Sequence, residues 1–286
     1  MPDSRPFAAA HPHSTPRPPP DPVVDRFVYG LTQPLIGART LVSRPELLRA
    51  AVIPAALLAA FCAVAALVSD GRGSFFHRFY TTFAVLAPLP SIVLAAHYAR
   101  LAVAARHALG FPRAEPCIEP LGRVVRRAVK QAILVAIALA PFTVLLALVP
   151  GLGGVLVKAA AAIWALHWVV VEAFDSARVL RPGETIASLD EAALHVARPW
   201  FVRWLLTAAD AAPIAGRLIR RFANLCDRLS LAWREEVALV ERHPVMVAGF
   251  ALSTAAVLAV PVLNLAFRPI IIIAAVHVLG QLEDRG

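Results

Sequence analysis

Glu172, Asp175 and Arg178 are the ionisable residues whose spacing invites chemistry. Steps of three on a continuing helix bring them close to one face, at the end of a long apolar block. Charge near a membrane costs free energy unless it is paired or solvated. The trio therefore marks either a pathway or an interfacial salt-bridge cluster that anchors a helix end, the second reading being preferred. His167, between Trp164 and Trp168, sits deeper in the same block. It suits either a proton-linked site or a hydrogen bond to a neighbouring helix, again with the second preferred.

No catalytic set accompanies them. Gly151-Leu152-Gly153-Gly154 followed by Lys158 lacks the G-x-x-x-x-G-K-[ST] order of a phosphate-binding loop and reads as a tight interhelical turn. Gly71-Arg72-Gly73-Ser74 lacks the second flanking glycine of a nucleophile elbow. Cys62, Cys117 and Cys226 form no CxxC spacing, which argues against a disulfide framework or a zinc site. The His11-x-His13 pair has metal-ligand chemistry but lies in a tail with no packed structure to preorganise it. The reading is thus of a protein that is not an enzyme, with no catalytic residues, metal site or cofactor.

The elements that must position the charged trio are membrane helices. Hydrophobic residues make up 59% of the 286-residue chain and charged residues 16%, against roughly 45–50% and about 25% in soluble domains. Mean hydropathy is +0.67. The apolar residues run in blocks: about Leu47–Val68, Tyr80–Ala105 (interrupted by Pro88 and Pro90), Gln131–Val149 and Leu156–Phe174. Pro150-Gly151-Leu152-Gly153-Gly154 forces the third and fourth blocks into an antiparallel hairpin. The last region, Val245–Leu282, is broken by Pro261, Asn264, Arg268 and Pro269. Its second half falls short of the roughly 17 residues of a straight crossing, so the pair is either two short spans or a re-entrant hairpin.

These blocks predict an all-α, polytopic helical membrane protein with four to six membrane segments. Residues 1–40 form a Pro-rich tail and lead-in, disordered over the proline-dense first 22 residues, 41–282 the membrane domain, and 283–286 a short tail. Within the domain, 175–243 is the most polar stretch. From Ile214 to Val240 it reads as one amphipathic helix, with Leu218, Phe222, Leu225, Leu229 and Trp233 on one face. Arg217, Arg220, Arg221, Asn224, Asp227 and Arg228 occupy the other, suited to an anionic lipid surface or to helix packing.

The net charge is +9, from 28 Lys+Arg against 19 Asp+Glu, and Lys130 and Lys158 are the only lysines. The cations sit in gaps between apolar blocks, which argues for a lipid-bilayer partner and against nucleic acid. Counting passages places the N-terminal segment, residues 106–130 and residues 175–243 on the arginine-rich, cytoplasmic side, with Arg72, Arg78 and Arg268 opposite. Both termini are then cytoplasmic.

Three segments resemble the CysZ-like, etoposide-induced membrane protein family. They are Arg44-Pro45-Glu46-Leu47-Leu48-Arg49-Ala50-Ala51-Val52-Ile53-Pro54; Val149-Pro150-Gly151-Leu152-Gly153 through Glu172-Ala173-Phe174-Asp175; and Gly249-Phe250 with Val260-Pro261-Val262-Leu263-Asn264-Leu265 and Pro269. Together they cover most of residues 40–282. The resemblance implies a helical, homo-oligomeric protein of a bacterial inner membrane, with helices that only partly penetrate the bilayer. It also implies a role in the uncoupled passage of a small anion, sulfate in the bacterial members. The family's Gly-Leu-Arg-Arg anion-contacting stretch falls here on Glu46, Leu47, Leu48 and Arg49, so Arg49 alone carries over as an anion-binding residue. A membrane-shaping or scaffold role without transport is the alternative.

Overall fold

The computed structural model describes residues 19–68, 74–86, 92–212, 214–259 and 261–283, and almost all of them are helical. In chain order the helices are α1 (Val23–Ser43), α2 (Pro45–Val68), α3 (Phe75–Leu86), α4 (Ala95–Ala108), α5 (Leu121–Ala138), α6 (Ala140–Ala147) and α7 (Gly153–Ser176). There follow α8 (Ile186–His195), α9 (Trp200–Ala211), α10 (Gly216–Ser230), α11 (Arg234–Arg242), α12 (Pro244–Ala259) and α13 (Pro261–Glu283). Strands β1 (Glu115–Pro116) and β2 (Val179–Leu180) form one antiparallel pair, with Glu115 opposite Leu180.

Three rods are long and apolar enough to cross a membrane: α2, the α5–α6 pair taken together, and α7. At 1.5 Å per residue, the 24 residues of α2 or α7 reach about 36 Å, more than a hydrocarbon core of about 30 Å. No more than 22% of the residues in any of their apolar windows are buried. Val52, Leu57, Phe61, Val64 and Leu67 of α2 all point outward. That is the surface of an all-helical membrane protein. Of the four to six segments expected, three reach full span length among the described residues; α12 is apolar but shorter. Residues 1–18 and the Pro88–Pro90 interruption lie outside the described residues.

The hairpin forms where the glycines stand. Gly151 adopts a left-handed φ of 72°, which a side chain would oppose, and α6 and α7 pack against each other beyond it. Pro141 has no N–H for the Ile137 carbonyl, so the rod is jointed at Leu139 between α5 and α6.

The hub is α13, and here the expectation of a final segment broken at Pro269 is corrected. The helix is continuous through Pro269. Ile270, Ile271, Ile272, Ile273, Ala274, Ala275, Val276 and Val278 are all buried, beneath α1, α2, α4 and α7. A proline inside a helix costs about 3 kcal/mol, whereas burying each isoleucine gains about 1.5–3 kcal/mol. Packing wins. On the other side, α1 lies along α12 with backbones nearly touching. A Cβ on Gly30 would meet the Met246 carbonyl oxygen at 1.8 Å, and one on Gly249 the Phe27 carbonyl oxygen at 2.1 Å. The region from Val23, which the sequence groups with the lead-in, is thus a packed helix. Gln33, fully buried on α1, accepts through Oε1 from His277 Nδ1–H of α13 at 2.5 Å.

Residues 175–243 are not a detached module. Trp204 of α9 stacks on Phe142 of α6 at 4.3 Å, and Trp200 and Phe201 meet Trp164 of α7 edge-on. The expected helix Ile214–Val240 is two helices, interrupted by a tight 3-10 turn at Leu231–Trp233. Its packed face also differs from the expectation. Gly216, Ala223, Cys226 and Ser230 are buried, while Leu225 is 47% exposed. Small residues let α10 approach α9 closely, and that proximity selects the face.

Candidate functional site

Glu172, Asp175 and Arg178 do gather at one end of α7, but they do not pair with one another. Each is claimed by a different element. Glu172 pairs with Arg268 of α13, whose guanidinium also lies 5.8 Å over the Tyr98 ring of α4. Asp175 accepts from Arg127 of α5 at 2.6 Å. Arg178, just past α7, reaches Glu235 at 2.5 Å and Glu236 at 2.6 Å, both on α11.

Arg127 is the centre of this arrangement. It donates to Glu119 at 2.7 Å as well as to Asp175, and its guanidinium sits 5.3 Å over the Trp233 ring. Arg123, one turn earlier, reaches Glu119 at 3.3 Å and Asp190 of α8 at 2.5 Å. The guanidinium fork lets one arginine hold two carboxylates at once. Sequence reasoning singled out the α7 trio and missed Glu119, Arg127, Glu235, Glu236 and Arg268. Part of the signal was present: Arg123 and Arg127 stand one turn apart on one edge of α5, and Glu119 lies just before its start. The long-range partners carried no such mark.

These groups line a cavity of about 120 Å³ between α4, α5, α7 and Trp233. Its acids are Glu119, Glu172, Asp175 and Asp190, and its bases Arg123, Arg127 and Arg178, so carboxylates outnumber guanidiniums four to three. Every arginine in it is already engaged, and an incoming dianion would meet net negative charge. Cys117 also lines this cavity; burial, then the neighbouring Glu119, pushes its thiol up and keeps it protonated. A second space of about 350 Å³ lies on the far side of Arg178, with Arg106, Arg181, Glu235, Glu236 and Glu283 among its walls. There burial pushes the Glu236 carboxyl up to about 7, against the opposing pull of Arg178. One of its oxygens, Oε2, is buried without a hydrogen-bond partner among the described residues.

Two further expectations change. Counting passages sets Arg268 on the side opposite the charged trio, yet its pairing with Glu172 puts it within one turn of Asp175. Among the described residues His167 has no hydrogen bond to a neighbouring helix: its Nε2 is buried without a partner there, and the ring stacks on Trp164 at 5.7 Å.

Arg49 stands apart from the cluster, exposed on α2 beside the outward apolar face. Among the described residues neither Arg49 nor Glu46 makes an ion pair, although a three-residue helical step would permit one between them. The carbonyl of Ala50, next in the chain, is instead in contact with His97 Nε2 of α4 at 2.6 Å. Cys62, Cys117 and Cys226 are free, and no group of His, Cys, Asp and Glu among the described residues is arranged to hold a metal ion. Comparison with known protein families, curated proteins and solved structures finds no match.

Proposed function

We propose that this chain is a CysZ-like integral protein of a bacterial inner membrane, with both termini cytoplasmic, which assembles as a homo-oligomer and offers an uncoupled path to a small anion such as sulfate. The observation that carries this reading is the contrast between two sets of arginines. Those of the internal cluster are saturated by carboxylates, whereas Arg49 is exposed and has no ion-pair partner among the described residues, at the start of an outward-facing apolar rod. A path for an anion therefore runs along the outer face of α2, where copies would meet, and not through the acid-lined cavity inside one chain. Arginine suits the task because its fixed fork of donors matches a tetrahedral oxyanion in a partly dehydrated site. The contact between Arg268 and Glu172 favours a final pair, α12 and α13, that enters and leaves on the cytoplasmic side.

Sulfate flux into proteoliposomes tests the reading. Arg49→Ala is expected to abolish flux. Glu46→Gly, which removes a like charge near the mouth, is expected to raise it. If neither substitution alters flux, the anion path is wrong. The second reading, a membrane scaffold without transport, is favoured by the complete compensation of the internal arginines, which suits an anchor better than a conduit. Absence of any flux in the wild-type protein selects it.

A further inference from the structure

Helix α10 carries a face that none of the described residues covers. At about 100° per residue, Ile214 in the lead-in turn falls on one side with Leu218 and Leu225, and Arg217, Arg221 and Arg228 run alongside. Those three apolar side chains are 97%, 72% and 47% exposed. The three arginines are exposed too, and none has an ion-pair partner among the described residues. Arg220, at the margin of the face, is different: Asp210 holds it at 2.5 Å. The opposite side is fully used. Gly216 abuts α9 so closely that a Cβ would lie 2.2 Å from the Ala209 carbonyl oxygen, and Ala223, Cys226 and Ser230 are buried behind it.

We propose that this face docks on an anionic phospholipid surface, with Ile214, Leu218 and Leu225 in the acyl boundary and the three guanidiniums on the headgroup phosphates. Charge complementarity chooses the occupant. Phosphate diesters match three uncompensated arginines, whereas the same face of a second copy would set arginine against arginine. Apolar residues between cations on one helical side are what an interfacial helix needs, since the apolar area and the lipid charge add. The apolar rods already bring the chain to a bilayer. The inference uses membrane residence only and is independent of whether anions pass.

The test uses the full-length protein with Leu218→Cys in a Cys117→Ser background, where the remaining native thiols, Cys62 and Cys226, are buried. A polarity-sensitive nitrobenzoxadiazole label is attached and the protein is placed in nanodiscs of phosphatidylcholine, alone or mixed with phosphatidylglycerol. The label is expected to shift to the blue in the anionic discs and to return on raising salt, which requires no further substitution. Arg217→Gln, Arg221→Gln and Arg228→Gln together, which leave the packed face intact, are expected to lower the preference for anionic lipid by roughly a hundredfold. The same emission in both lipids overturns the proposal. So does a shift that follows the number of chains per disc in place of lipid charge, which would mark a contact between copies. Sulfate flux can be intact or absent in either outcome, so the two readings fail separately.

Discussion

Replacing Arg127 by methionine removes the ion-pair partner of Asp175 and one of the two of Glu119, which keeps Arg123 at 3.3 Å. The Glu119 and Asp175 side chains are 9% and 19% exposed, so water screens them poorly. Breaking a buried pair by deleting one partner costs about 3–5 kcal/mol, because the remaining charge is uncompensated. Methionine retains the aliphatic packing on Trp233, so the loss reports charge and not volume. Thermal unfolding in detergent, with Asp175→Asn alone and combined with Arg127→Met, measures the coupling between the two. The single arginine variant is expected to lose about 3–5 kcal/mol. The double variant is expected to recover at least about 1 kcal/mol of that. A loss for Arg127→Met below about 1 kcal/mol, the range of exposed pairs, would refute the claim that this pair fastens α5 to α7.

Two other perturbations follow from different parts of the fold. Gly249→Leu inserts a side chain where Phe27 backbone already lies within 2.1 Å of a Cβ; it is expected to cost more than the roughly 1–3 kcal/mol of ordinary overpacking, read as detergent-resistant protein recovered after gel filtration, whereas Gly122→Ala, with open space around it, is expected to be silent. The Glu236 carboxyl is raised by burial from 4.5 to about 7, so the folded state holds its proton more tightly than the unfolded chain does. Its contribution is present below the unfolded value and is lost as pH rises through about 7. Wild-type stability should therefore fall across that window, and Glu236→Gln should flatten the fall; an unchanged slope would show that Arg178 already holds the group ionised.

The features legible in the sequence were those that local rules determine. The apolar blocks gave α2 and α7, because length and hydropathy alone fix a span. The glycine turn gave the hairpin, because Gly151 needs φ above zero. What the sequence hid was non-local. Pro269 reads as a break until isoleucines on every side of α13 are seen to be buried. Leu225 and Phe222 look equivalent on a helical wheel, and only the approach of α9 through Gly216 decides which of them is covered. In the charged cluster, the α7 residues could be named from spacing, but Arg268 lies 96 positions from Glu172 and Arg127 lies 48 from Asp175. Partners so far apart in the chain leave no periodic trace.

The claim on which the rest depends is that the apolar rods cross a bilayer with their charged ends on one side. In the Cys117→Ser background, Ala187→Cys is chosen on α8 because Ser188 next to it closes the capping box with Thr185 and should be kept. Ser74→Cys marks the lead-in to α3, beyond the far end of α2. Both positions are exposed. A membrane-impermeant maleimide applied to right-side-out cells should label the Ser74→Cys protein and spare the Ala187→Cys protein, and inverted vesicles should reverse the pattern. Labelling of both variants from the same side would contradict a crossing by α2 and the topology that depends on it.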